Sequence, residues 1–414
     1  MGYRSAISVF LLAAVSLLGR PAPASAQLVL GQYEEEAPVR TWNAFAPASA
    51  AALGRGETSM TFSLDAASAT ANPALLAGLP RFTLAVNGYL QSAGFNKFGP
   101  VNTGVILMRE NAGLVSAVFG SAGLSVRLGG WTLGLNVFAD ELYDRPETSV
   151  QGTYNGTLYY EADYRQTGLL RTWQLAVARR VGARLSFGAA VNAIQGSLER
   201  EFIDTSYFPT IIISDRKTQT FSGFYVNGGV LAKIFENMQA ALVFRTPYRK
   251  GIRSESNLRY EAPSAGTLIT IADSADDQAE IPGSIGLGAR LSLLPEFDVF
   301  CEATAFFWSG YTITFFGDPQ VREFRDVVKA GLGLEYRAKT RLFGSEAVLP
   351  FRIGGVYDPQ PARSPHSSYA GFTFGTGLQG KRLGLDIGGL VGRESGSGNG
   401  LGILKLTLSL RYAL

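Results

Sequence analysis

The chain holds one cysteine, Cys301, and one histidine, His366, in 414 residues. A lone thiol excludes an intramolecular disulfide, and with a single imidazole beside it there is no set of soft ligands for a structural metal. Hydrolysis of the Ser-His-Asp kind needs a positioned base. His366 stands between Pro365 and Ser367 at the outer edge of an expected strand, which is the place of a solvated loop residue. Charge is scarce as well: 17% of residues are charged, and the net charge of +3 is spread evenly, so no basic patch for nucleic acid is expected. Asp298 and Glu302, four apart on one expected strand, lie ~13 Å from each other, too far for the acid and nucleophile of a retaining glycosidase. Gly396, Gly398, Gly400 and Gly402 have no helix after them, so they do not make a phosphate loop. No catalytic group, cofactor or metal site is expected, and the chain reads as a non-enzyme.

Long apolar runs are also missing. Met1 to Ala26 has a basic start at Arg4, an apolar run from Ala6 to Gly19 and Ala24-Ser25-Ala26 as a small-residue cleavage site, which is the layout of a signal peptide (1–26). Gln27, not cysteine, follows, so no lipid attachment is expected. No later stretch reaches the ~18 to 20 apolar residues of a transmembrane helix.

What is abundant is glycine (49), phenylalanine (26), tyrosine (17) and strict alternation. At the carboxyl end Leu404, Leu406, Leu408, Leu410, Tyr412 and Leu414 share one parity, with Lys405, Thr407, Ser409 and Arg411 on the other. From Arg81 on, the pattern recurs over fourteen segments: 81–91, 113–128, 131–139, 168–181, 184–198, 219–235, 238–250, 283–293, 297–310, 324–337, 349–358, 367–379, 382–393 and 402–414. Tight turns (129–130, 182–183, 236–237, 294–296, 380–381) alternate with long polar connections (92–112, 140–167, 199–218, 251–282, 311–323). The eleven-residue stretch 338–348 breaks that rule. Short turns on one side and long loops on the other describe an antiparallel transmembrane β-barrel of the outer membrane of a Gram-negative-type bacterium, with both barrel ends in the periplasm.

Charge parity agrees. Arg or Lys on the lipid face costs ~2 to 4 kcal/mol near the midplane, and Arg127, Lys233, Arg245, Arg290, Asp298, Glu302, Lys329, Glu335, Arg352 and Asp386 all oppose their apolar neighbours. Aromatics collect at expected strand ends as an interfacial girdle: Trp131, Phe235, Phe297, Tyr336 and Tyr412 inside, Trp173, Tyr248, Tyr311 and Tyr357 outside. The alternative is a soluble all-β repeat or sandwich, whose strands tolerate charge on either face.

Residues 27–80 lack the alternation and are rich in Ala, Ser, Gly and Pro. They cannot build a core, but their length suits a plug inside a barrel (81–414) wider than the eight strands whose lumen side chains can fill. Pro73 pushes Asn72 into an extended conformation. That pair serves either a sharp bend or a helix start, with Asn72 as cap and Pro73 as first helical residue.

Leu53-Gly54-Arg55-Gly56, Asp65-Ala66-Ala67-Ser68 and Asn72-Pro73-Ala74-Leu75 resemble the amino-terminal hatch of the FadL/TodX family of outer-membrane transporters for hydrophobic compounds. Further echoes are Phe244-Arg245-Thr246-Pro247, Ile281-Pro282-Gly283-Ser284, Phe307-Trp308-Ser309 and the stretch from Arg352 to Asp358. Leu75 stands where the family often has glycine, and Asp65 is single where two acids are common. The resemblance implies a fourteen-stranded barrel with a hatch, passive transport of hydrophobic or amphipathic molecules such as long-chain fatty acids, and a gating motif at Asp65, Asn72, Pro73 and Ala74. On parity, Phe300, Phe306 and Trp308 face the lumen as candidates for an apolar path, with Arg127, Arg245, Lys329 and Arg352 as partners for a carboxylate head. The alternative is that these residues pack on the plug and pair with its acids. Interior glycines (Gly120, Gly123, Gly228, Gly229) mark bulges or close approaches and suggest a sideways exit. Expected partners are the small-molecule ligand, membrane lipid, lipopolysaccharide and the assembly machinery that inserts barrels, with the protein as a monomer. Rival readings are a docking platform for secreted or surface proteins, using 140–167 and 251–282, and a general polar porin.

Overall fold

A computed structural model describes residues 49–414, except 95–97, 103–105, 112, 316, 321–322, 343, 365 and 397–399. The signal-peptide and most of the early plug expectations therefore lie outside the described residues.

The described residues form twenty-one strands. In chain order they are β1 (Phe82–Gly94), β2 (Phe98–Asn102), β3 (Ile106–Asn111), β4 (Leu114–Leu128), β5 (Trp131–Leu142), β6 (Arg145–Tyr154), β7 (Thr157–Val181), β8 (Leu185–Tyr207), β9 (Thr210–Phe235), β10 (Met238–Arg245), β11 (Tyr248–Ala262), β12 (Thr267–Ile281), β13 (Ser284–Leu294), β14 (Phe297–Phe306), β15 (Thr312–Phe315), β16 (Asp318–Gln320), β17 (Val327–Leu342), β18 (Ser345–Pro359), β19 (Ser368–Gln379), β20 (Leu383–Ser395) and β21 (Gly402–Ala413). They make a closed antiparallel barrel of 14 strands, because β10 with β11, β12 with β13, and β14 with β15 are each one broken strand, while β2, β3, β6 and β16 lie outside the wall. Closure is by β1 on β21, from Thr83↔Ala413 to Gly94↔Gly402.

Period-two alternation decides which face is which. In β1, Thr83, Ala85 and Asn87 are buried while Leu84, Val86 and Leu90 are exposed, and Leu133, Leu175, Leu287, Leu332, Ile353, Leu385 and Leu408 continue the apolar outside around the wall. An uninterrupted belt of that kind is stable where hydrocarbon covers it. Asp298, Glu302, Glu335, Arg352 and Asp386 are buried on the inside. Among the described residues no helix is long and apolar enough to cross a membrane.

The polar stretches expected as loops are largely sheet. β7, β8 and β9 run 25, 23 and 26 residues, and β11 pairs with β12 from Tyr248↔Ile281 out to Ala262↔Thr267. These ribbons rise past the apolar belt, where neither face needs to be greasy, so backbone pairing continues without alternation in the sequence. Residues 338–348 also shrink to a tight turn, since Leu342 pairs with Ser345 and Gly344 takes φ 77°. The alternation of short turns and long connections is thereby complete.

Inside the barrel lies the hatch. Helix α1 (Ala50–Gly54) is capped by Ser49, whose hydroxyl accepts from the Ala52 N–H, and 3₁₀ helices follow at Ala66–Thr70 and Pro73–Gly78. Wall glycines make room for it. A Cβ at Gly331 or Gly333 would overlap the carbonyl oxygens of Gly56 and Arg55, one at Gly388 that of Ala50, and one at Gly188 the backbone of Pro73 and Ala74. Gly229 has the same role beside the Asn72 side chain, and Gly123 beside the backbone of Ala66 and Ala67.

Candidate functional site: hatch seat, aromatic cluster and wall seam

The hatch is fastened by buried ions. Arg55 Nη1 donates to Glu335 Oε2 at 3.2 Å, and its guanidinium lies between the rings of Phe300 (4.5 Å) and Phe62 (5.3 Å). Glu335 also accepts from Arg352 Nε at 2.6 Å, and Arg352 Nη1 donates to Asp386 at 2.6 Å. On the other side of Gly56, Glu57 pairs with Lys329 at 2.7 Å, and Lys329 lies 3.4 Å from Asp358. Arg127, at the turn end, donates to the carbonyls of Leu79 and Ala77. The structure thus places Arg127, Phe300 and Lys329 against the hatch, and Arg352 one step away through Glu335.

Asn72 does two jobs. Its Oδ1 accepts from the Ala74 N–H at 3.0 Å, starting the 3₁₀ helix with Pro73 in the first turn, and its Nδ2 donates to the Met60 carbonyl at 2.8 Å. Pro73 and Ala74 are buried, as is Asp65, which precedes the 3₁₀ helix Ala66–Thr70. Burial, reinforced by nearby Asp386, raises the Asp65 pKa to about 6, while Arg411 and Arg55 act the other way.

Arg245, Phe306 and Trp308 stand elsewhere. Three adjacent strands break at one level: β10 stops at Arg245, β13 starts at Ser284 and β14 ends at Phe306, residues that pair across the wall as Arg245↔Ser284 and Ser284↔Phe306. Thr246-Pro247 and Pro282-Gly283 each interrupt the period by two residues, so parity flips. Val243 and Arg245 point inward below the break, Tyr248, Lys250 and Ile252 above it. Tyr311 and Ile313 likewise turn inward after the helical turn at Trp308–Gly310. Tyr248 and Tyr311, expected in the outer girdle, are therefore buried in the lumen.

The result is one apolar cluster holding Tyr143, Phe221, Tyr225, Tyr248, Phe306, Trp308, Tyr311 and Phe324, with aliphatic residues between them. Trp308 meets Phe324 edge-on at 6.2 Å and Tyr311 at 5.7 Å. Arg245 lies over Tyr225 (5.6 Å) and Tyr248 (5.7 Å), and Lys250 over Phe221 (5.0 Å). Asp140 accepts from Thr172 Oγ1 at 3.1 Å beside them. Sequence reading missed Tyr143, Phe221, Tyr225, Tyr248 and Lys250. For Tyr248 and Lys250 the signal was the Thr246-Pro247 interruption, which resets the face of everything after it in the strand, whereas Phe221 and Tyr225 share the inward parity of Lys217 and Gln219 in β9.

A seam also runs down part of the wall. β4 and β5 pair only from Leu128↔Trp131 to Ser121↔Phe138. Beyond that level β4 stays with β1 while Glu141 and Leu142 pair with β7. Each strand bulges at the parting, β4 at Gly120 against β1 and β5 at Asp140 against β7. Asp144 stitches the gap, accepting from Ser116 Oγ at 2.7 Å and from the Gly168 N–H at 2.9 Å.

No protein-family model matches the chain, and no curated protein matches it in sequence. Solved structures do. A FadL homologue from Pseudomonas aeruginosa aligns at TM-score 0.61 and 15% identity over 88% of this chain and 98% of its own. The toluene transporter TodX of P. putida aligns at TM-score 0.65 and 13% identity, over 90% and 99%. The monoaromatic hydrocarbon channel CymD aligns at TM-score 0.64 and 16% identity, again over 90% and 99%. The chain has the fold of the FadL-type barrels.

Proposed function

We propose that this protein is a passive channel in the outer membrane of a Gram-negative-type bacterium, admitting hydrophobic or amphipathic small molecules. The observation that carries the reading is the aromatic cluster in the lumen at the level where three wall strands break. A polar porin lines its lumen with water-binding groups; eight buried rings instead offer a contact surface to an apolar guest. That the fold neighbours are described as toluene and hydrocarbon channels supports the same class. The cluster's rings offer a monoaromatic guest stacking partners, and Arg245, set on two tyrosine rings, gives a long-chain fatty acid a cationic partner for its carboxylate.

The path runs from the ribbon end into the cluster and out through the β4–β5 seam or past the hatch. Asp65, Asn72, Pro73 and Ala74 belong to the gate in this reading, and Arg127, Phe300, Lys329 and Arg352 act by holding it shut. The protein works as a monomer surrounded by lipid and lipopolysaccharide after insertion by the barrel-assembly machinery. Purified protein in liposomes should take up labelled toluene and dodecanoate and exclude labelled glucose. Equal entry of glucose would make it a porin.

A second reading, a docking platform, draws on the ribbon tips, where Tyr154, Tyr159, Phe208, Leu268, Ile269 and Ile271 are exposed and Tyr159 stacks on Phe208 at 6.4 Å. Shortening the β11–β12 ribbon should then abolish binding of a protein partner while leaving uptake intact.

A further inference from the structure

Met60 is the one hatch residue in the aromatic cluster among the described residues. Val243, Gly286 and Thr304 pair side by side, two residues along their strands from Arg245, Ser284 and Phe306. Met60 covers that level. A Cβ at Gly286 would meet its Cε at 2.6 Å and its Sδ at 3.0 Å, and one at Gly288 its Cβ at 3.1 Å. The thioether is thus the hatch-side floor of the aromatic cluster, which is the chamber of the transport reading, and a flexible, unbranched side chain can be displaced there without breaking the wall.

Both backbone groups of Met60 are committed. Its N–H donates to Glu302 Oε1 at 2.6 Å, and its carbonyl accepts from Asn72 Nδ2 at 2.8 Å. Asn72 in turn caps the helix Pro73–Gly78, which packs on β7 and β8 through Leu76, Ala77 and Leu79 against Ala176, Ala178 and Ala190. The chamber floor and the start of the last hatch helix therefore share one asparagine side chain.

We propose that Met60 is the positioning residue through which a molecule in the chamber acts on the hatch. A guest that reaches the floor displaces the thioether, pulls the Met60 carbonyl from Asn72 and uncaps the helix Pro73–Gly78. A ligand shifts an equilibrium only by its differential interaction with the two states, and here that difference is the clash with Met60 in the seated hatch. The inference rests on the transport reading and deepens it.

The test uses the full chain with Cys301→Ser and Ala77→Cys, since Ala77, in the helix Pro73–Gly78, is buried against β7 and β8. Maleimide labelling of the introduced thiol is followed with and without toluene or dodecanoate, and binding of each radiolabelled probe is measured separately. Either probe should speed labelling about tenfold, within the usual range of coupling between sites. Adding Met60→Ala should abolish the acceleration with probe binding retained, and Met60→Leu, which keeps the volume, should restore it. Undiminished acceleration in Met60→Ala would overturn the proposal. So would rapid labelling of that variant without any probe, which would mean that Met60 only packs. If neither probe binds the chain with native Met60, the transport reading itself fails, and this inference with it.

Discussion

Arg55 of the hatch and Glu335 of β17 meet at 3.2 Å with each side chain 2% exposed. Glu335 is shared, because Arg352 binds the same oxygen and Arg337 the other. Removing one partner of a buried pair costs ~3 to 5 kcal/mol, mainly as the penalty on the charge left behind. Glu335→Gln strands the Arg55 guanidinium and leaves Arg352 with Asp386 alone, whereas Arg55→Met leaves the carboxylate with two cations. Glu335→Gln should therefore loosen the hatch more than Arg55→Met. Bilayer recordings should show frequent large openings in the first and few in the second; the reverse order would mean that this acid is not the anchor.

Close backbone approach makes the glycine seat a separate test. A methyl at Gly333 collides with the Arg55 carbonyl, while one at Gly130, in the β4–β5 turn, meets nothing within 4 Å. Gly333→Ala should raise basal conductance and lower the unfolding midpoint, with a cost of ~1 to 3 kcal/mol as for other overpacked sites. Gly130→Ala should match the native chain in both measurements.

The barrel was legible in the sequence because period two survives wherever one face meets hydrocarbon and the other the lumen, as at Leu406 against Thr407. The ribbons were not, since residues such as those of β12 before Asp276 are exposed on both faces and have no buried face to alternate with. Parity gave Lys329 and Arg352 the correct side of the wall, but not their partners. The acids that bind them, Glu57 and Glu335, are respectively far off in the chain and on a neighbouring strand, and only the folded hatch brings the first into place. The chamber stayed hidden for another reason: a two-residue interruption such as Thr246-Pro247 inverts the face of every later residue in its strand, which sent Tyr248 to the wrong side.

Asp65 gives the hatch a pH dependence. Its folded pKa of about 6 lies above the ordinary carboxyl value of 3.8, so the seated hatch binds the proton more tightly than the released one. The stabilisation is fully present below the ordinary value and is lost as pH rises through about 6. It amounts to about 3 kcal/mol at most, at 1.36 kcal/mol per unit. Openings in bilayers should become rarer between about pH 7.5 and pH 5, and Asp65→Asn, which stays neutral, should remove that difference. An unchanged pH response in Asp65→Asn would assign the effect to another group.

If guests leave sideways, the β4–β5 seam must widen, and Asp144 to Ser116 is the bond across it. Ser116→Cys with Asp144→Cys, in a Cys301→Ser background, places two thiols where a 2.7 Å hydrogen bond now stands. Oxidation should stop transfer of toluene into liposomes, and a reductant should restore it. Full transfer through the oxidised seam would send the exit past the hatch.

Arg245 separates charged from neutral guests. It is buried over Tyr225 and Tyr248 beside the chamber, so a carboxylate seated there gains a charge-assisted hydrogen bond of ~1.5 to 3 kcal/mol. Arg245→Met preserves much of the side-chain volume and the apolar contact with both rings. Dodecanoate affinity should fall about tenfold to a hundredfold, while toluene affinity should hold or improve slightly as the chamber becomes less polar. Parallel losses for both probes would mean that the substitution disturbs the break between β10 and β11, because Thr246 N–H to Val226 O is what fixes that corner. The same comparison at Lys250→Met then reports whether the head group sits below the break or above it. Arg245 lies over Tyr225 and Tyr248 and Lys250 over Phe221, so the variant with the larger loss marks the rings that the head group sits beside.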